Sequence, residues 1–347
     1  MRTFDSLTFD LLEPLRDRAA WDRAVKETEP GPERRAMQAQ STIAYAFAGL
    51  RGGAGSPEML AWILILLRAF HCLEAVRSSL HRNSDFTGNI LLRVAAEIEV
   101  HQLQIRYPWS RLLRIHGRDA PEEKQSAAWR AVRDRLRAYT AWCLAKDREF
   151  FEQRRDWREV NKLFAPTLPA EAQADEREAA LLAFVFGPPQ VISEQEALED
   201  RRKAIEAYDE AIGRIDHWLS DERLSPWHER LGVLTRSVGW VPSNFGQMFN
   251  DRETSFAKAL QQLGLRHEYG VYAQASSLIH GGSVESFIRL VASSVDGRSI
   301  VYPRCLPDRE MAEELCTDVA YRLHGVATYL WAMRDHVLYE ETEEATA

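Results

Sequence analysis

Apolar residues recur every three or four positions over most of this chain, the spacing of one face of an α-helix. Met59 to about Leu80 is strongly apolar, and Ser56-Pro57 opens it with proline at the first helical position, which predicts a buried central helix. Asn83-Ser84-Asp85 breaks the pattern. A second helix is expected from Phe86 to Tyr107, ending where Pro108 interrupts it. A third, rich in Arg, Ala, Glu and Trp, spans roughly Pro121 to Phe164. Its apolar stripe runs through Trp129, Val132, Leu136, Tyr139 and Cys143.

The character then changes. Ala165-Pro-Thr-Leu-Pro169 and Gly187-Pro-Pro189 bracket a short alanine-rich stretch, so 165–192 reads as a joint between an N-terminal part, 1–164, and a C-terminal part, 193–339. Ser193 with Glu196 forms a capping box for a helix to about Leu219. Trp240 to Gly246 reads as a loop. Asp251 caps a helix that Gly264 interrupts and Gly281-Gly282 ends. Ser299 to Tyr302 has strand character, which predicts a small hairpin near 292–303. A last helix runs from about Pro307 to Leu338, and 340–347 is an acidic tail. The pattern predicts an all-α, multi-helix bundle.

Composition adds bounds. The 347 residues are 45% hydrophobic and 28% charged, an ordinary globular balance. The longest uninterrupted apolar run, Met59–Leu67, is shorter than the ~20 residues of a membrane span, so no membrane partner is expected. Asp5 falls where an export signal would be apolar, and Cys72, Cys143, Cys305 and Cys316 form no C-x-x-C pair; both features point to a reducing cytoplasm. Net charge is −8, which argues against nucleic-acid binding through bulk charge. The charge is uneven, however: residues 102–158 hold 14 Lys/Arg against 8 Asp/Glu. That segment would suit an RNA or protein partner, or the other half of a homo-oligomer; the plainer reading is a solvated helix face.

Chemistry is expected where polar residues interrupt apolar faces. Arg93, Glu97 and His101 stand at i, i+4 and i+8 within Ile90-to-Leu103, a helix otherwise filled by Ile, Leu, Val and Ala. Glu268, Tyr272, Ser276 and His280 repeat the same step. Burying such a stripe costs several kcal/mol unless its members satisfy one another. Two stripes that face each other would meet that demand, with Arg93 pairing Glu97 or Glu268. Gly281-Gly282 beside the His280 imidazole would leave room for a ligand. In this reading His280 is a general acid or base, Arg93 a phosphate-stabilising cation, and Glu97, Tyr272 and Ser276 orient them.

The pairing of a Leu-Leu-Arg-x-x-x-Glu helix with a later Tyr-x-x-x-Ser-x-x-x-His-Gly helix resembles a bacterial family of helical domains of unknown function. The matching positions are Arg93, Glu97, Tyr272, Ser276, His280 and Gly281. The resemblance implies a helical fold and a pairing of the two stripes, and it brings no activity. A second resemblance, to HEPN-type ribonucleases of abortive-infection systems, rests on the Arg-x4-His stretch Arg111-to-His116. It implies metal-independent RNA cleavage and a stress or phage-defence role. A different reading is a non-catalytic binding or scaffold protein whose buried polar network fixes helix register. Helical di-iron sites need Glu-x-x-His, which the central helices lack; His71 and Glu74 stand in the reverse order, and Glu97 and His101 one residue too far apart. No Walker, Rossmann, zincin or nucleophile-elbow motif is present, and no cofactor or metal is expected.

Overall fold

The computed structural model describes residues 17–48, 55–82, 85–160, 194–242, 245–249, 288–292, 299–303 and 309–338. Among these the fold is all-α. The helices are α1 (Arg18–Glu27), α2 (Pro32–Ala48), α3 (Pro57–Arg82), α4 (Asp85–His116), α5 (Glu122–Val160), α6 (Glu194–Leu219), α7 (Ser225–Val238) and α8 (Arg309–Leu338). A 3-10 turn covers Phe245–Met248. The antiparallel hairpin pairs β1 (Ile288–Ala292) with β2 (Ser299–Pro303) and sets Leu290 opposite Val301. Its second strand lies where strand character was read, and its first begins four residues ahead of the expected range.

Local chemistry starts and stops the helices. The Asp17 carboxylate accepts the Ala20 amide at 3.0 Å, capping α1. The Ser56 hydroxyl accepts the Met59 amide at 3.1 Å, with Pro57 opening α3. The turn from α4 to α5 uses Gly117 at φ 68°, and α7 ends on Gly239 at φ 83°, whose N–H reaches the Thr235 carbonyl.

One sequence expectation is corrected here. α4 does not stop at Tyr107; it continues through Pro108 to His116. A proline inside a helix leaves the carbonyl four residues back without its amide. That carbonyl belongs to Gln104, and Arg135 Nη1 donates to it at 2.6 Å. A side chain from α5 supplies the missing donor, so the helix survives its own breaker.

The chain divides into two compact units, Met1–Thr140 with Pro242–Ala347, and Ala141–Val241, the boundary falling within α5. In the first, α8 packs against α2, α3 and α4. It buries Ala312, Cys316, Val319, Ala320, Leu323, Val326, Ala327, Leu330 and Met333, a continuous three-and-four repeat. Trp62 of α3 donates its indole N–H to the Leu330 carbonyl at 3.1 Å. α3 is long and apolar enough to cross a membrane by length and composition, and here it contacts α2, α4 and α8 and buries Trp62, Ile63, Ile65, Leu66, Leu73 and Val76. At Gly88 the backbone of α4 comes so close to α8 that an added Cβ would lie 3.1 Å from Leu315 Cβ.

The second unit holds the rest of α5 with α6 and α7. Arg148 bonds Asp216 at 2.7 Å, Arg155 reaches Asp209, and Phe151 meets Tyr208. Lys146 and Glu149 clamp Val241, one taking its carbonyl at 2.7 Å and the other its amide at 2.9 Å.

Candidate functional site

The α4 stripe divides into two environments. Arg93 Nε lies 3.3 Å from Glu97 Oε1, and both side chains are partly exposed. His101, one turn beyond Glu97, is only 6% exposed. Its ring stands edge-on to Phe245 at 5.9 Å and tilted against Tyr139 at 5.6 Å. Burial, and secondarily the Arg68 charge, push its pKa down to about 3, so the imidazole is neutral at physiological pH. Arg68 Nη1 in turn donates to the Tyr139 hydroxyl at 3.1 Å. Arg93 and Glu97 are brought together as expected. Glu268, Tyr272, Ser276, His280 and Gly281 lie outside the described residues.

The other sequence candidates take structural or surface positions. Arg111 and His116 are both exposed near the end of α4, with His116 Nε2 3.2 Å from Lys124 Nζ. His71 is exposed, while Glu74 accepts from Gln40 at 2.5 Å and from Arg77 at 3.3 Å. Among the described residues no three His, Cys, Asp or Glu side chains group as metal ligands.

The basic segment 102–158 is engaged largely with the protein itself. Arg137 pairs with Glu58, a carboxylate 1% exposed in the first turn of α3. Arg135 holds the Gln104 carbonyl and lies 4.2 Å over the Phe249 ring. Arg106 sits 4.2 Å over Tyr329, and Arg133 donates to the His336 carbonyl. Lys146, Arg148 and Arg155 are bonded as described above. Arg111, Arg114, Arg118, Lys124 and Arg130 remain exposed, interspersed with Asp119, Glu122 and Glu123.

One open feature of the first unit, among the described residues, is a groove of about 550 Å³ between α4 and α8, lined by Glu99, Asp318, Tyr321, Arg322, His324, Gly325, Thr328, Tyr329 and Ala332. Arg322 ties its charged end together, 2.8 Å from Glu99 and 3.5 Å from Asp318. At the other end Tyr329 lies under Arg106; burial raises its phenol pKa, and the guanidinium pulls it part of the way back. Burial also lowers the pKa of His324. Tyr321 is 76% exposed, and nothing lies within 4 Å of where a Cβ on Gly325 would sit. The sequence reading passed over this groove. Its signal was the uncharged series Tyr321, Gly325, Thr328 and Ala332 on one side of α8, beside Arg322.

Compared with known proteins, the chain gives no significant match to a protein family, a curated protein or a solved structure.

Proposed function

We propose that this chain is a non-catalytic helical scaffold or binding protein, in which interior polar groups fix how the helices pair and the α4–α8 groove is the surface offered to a partner. The observation that carries this reading is the fate of the interior groups. His101 is held neutral between aromatic rings, Arg68 is spent on Tyr139, Glu58 on Arg137, and the Trp62 indole on a backbone carbonyl. Each serves a seam between helices, a use that buried polar networks can have.

The test is incubation of purified protein with a mixed RNA pool, alongside His280→Ala and Arg93→Ala. Intact RNA in all three samples is the expected result. RNA degradation by the wild type that disappears in a His280→Ala protein of unchanged melting temperature would overturn the reading. It would favour a nuclease-like effector with His280 as its general acid or base.

A further inference from the structure

We infer that the exposed cationic surface around the turn from α4 to α5 is a docking surface for this chain's own acidic segment, residues 340–347, which holds that surface back from polyanions. The inference goes beyond the scaffold reading and does not rest on it.

The register of α8 on α4 delivers that segment to the surface. Leu315 of α8 lies against Gly88 of α4, Arg322 pairs with Glu99 at 2.8 Å, and Tyr329 lies under Arg106. Successive partners advance together, so the two helices run parallel, and the same register sets His336 level with Leu113. Ring contacts agree: His336 stacks on Trp129 at 4.7 Å, and Trp129 stacks on Trp109 at 4.3 Å. Arg133 of α5 also donates to the His336 carbonyl at 3.2 Å. Helix α8 ends soon after, at Leu338. The chain therefore leaves it level with the last turn of α4, beside the Gly117 turn into α5.

Charge selects the occupant. Arg111, Arg114, Arg118 and Lys124 are exposed on either side of that turn, and Arg130 is exposed next to Trp129. Most other cations of 102–158 are spent inside the fold, as described above. Arg111, Arg114, Arg118 and Arg130 bond no side chain among the described residues. Exposed acids here are Asp119, Glu122 and Glu123, and the last two stand in the first turn of α5, where the helix dipole engages them. From Tyr339 the sequence reads Tyr-Glu-Glu-Thr-Glu-Glu-Ala-Thr-Ala, with four glutamates and no cation. Extended, such a segment reaches about 30 Å, several helical turns beyond the nearest of these arginines. Single exposed ion pairs are weak, at ~0.2–1 kcal/mol each. Tethering compensates, because a short covalent link sets a local concentration on the order of millimolar. An outside polyanion has to displace the tethered glutamates before it can bind.

The test is zero-length carbodiimide cross-linking of the full chain, read by mass spectrometry. The glutamates of 340–347 should join Lys124 in preference to Lys26 and Lys203, which are also exposed. The product should fade in about 1 M salt, where screening shortens the reach of charge to about 3 Å. A second readout is the salt needed to elute the protein from immobilised heparin. Glu340→Gln, Glu341→Gln, Glu343→Gln and Glu344→Gln together should raise it. Glu206→Gln, Glu210→Gln, Glu222→Gln and Glu229→Gln, all at exposed positions of the second unit, change net charge equally and should raise it clearly less. Adding Arg114→Glu, Arg118→Glu and Lys124→Glu to the first set should cancel its gain. Equal cross-linking to the three lysines, none to Lys124, or equal elution shifts for the two glutamine sets would each overturn the proposal. None of these results bears on whether RNA is cleaved, so the scaffold reading stands or falls separately.

Discussion

Arg135 stands in for the amide that Pro108 lacks. Its Nη1 donates at 2.6 Å to the Gln104 carbonyl, the oxygen that an ordinary residue at 108 would bond. Arg135→Ala should therefore cost about 2 kcal/mol of unfolding free energy, the range for a hydrogen bond to a charged group. In a Pro108→Ala background the new amide can take that carbonyl, so the same substitution should cost about 1 kcal/mol less. Urea unfolding of the four proteins measures the coupling; a cycle that closes to zero would separate the two residues.

Acid should weaken the first unit through His101. Its folded-state pKa, about 3, lies below its ordinary value of 6.5. The unfolded chain therefore takes up the proton first, and stability falls as pH drops through the window between those values. The loss from this residue should be roughly 2 kcal/mol between pH 6.5 and pH 5. Comparing denaturant midpoints of wild type and His101→Phe across that window checks it, and the variant should show the shallower pH dependence.

Removing Arg137 should be among the more damaging charge deletions. Glu58 is buried, so Arg137→Met strands a carboxylate and should cost about 3 kcal/mol. Adding Glu58→Leu should restore a large part of that loss, because the stranded charge is gone. Melting temperatures of the single and double variants distinguish this from a simple loss of packing, which would make the double worse.

Two glycines should respond oppositely to alanine. Gly213 is helical, exposed and without a neighbour within 4 Å, so Gly213→Ala should stabilise the protein by about 0.5–1 kcal/mol. At Gly88 the new methyl would lie 3.1 Å from Leu315 Cβ, an atom fixed to the α8 backbone. Gly88→Ala should destabilise by about 1–2 kcal/mol as α4 and α8 are pushed apart. Thermal denaturation reads both.

Much of the fold was legible because burial follows periodicity. The stripe Trp129, Val132, Leu136 and Tyr139 is buried as its spacing indicates, and α3, α6 and α8 begin and end within a few residues of their capping signals. The continuation of α4 was not legible, since the donor that rescues it comes from 27 residues further on, in another helix. α1 and α7 lack a strong apolar run and went unremarked, although Gly239 closes α7; α2 went unremarked too, although Pro32 opens it and Ile43 to Ala48 is apolar throughout. The stripe of Arg93, Glu97 and His101 looked uniform in sequence. Eight residues of helix turn it by about 80°, enough to carry an ion pair at the rim to a neutral ring in the interior. The groove was missed because its residues face outward, where apolar periodicity has nothing to report.

The Trp62–Leu330 hydrogen bond joins residues 268 apart in sequence. On the ribosome, α2, α3 and α4 are made long before the helix that covers them. Until α8 emerges, Leu73, Val76 and their neighbours have no lid, and the nascent chain carries an oily flank through most of its synthesis. A stop codon ahead of residue 309 would therefore leave α2–α4 complete yet sticky, and its product should be found with chaperones or in aggregates.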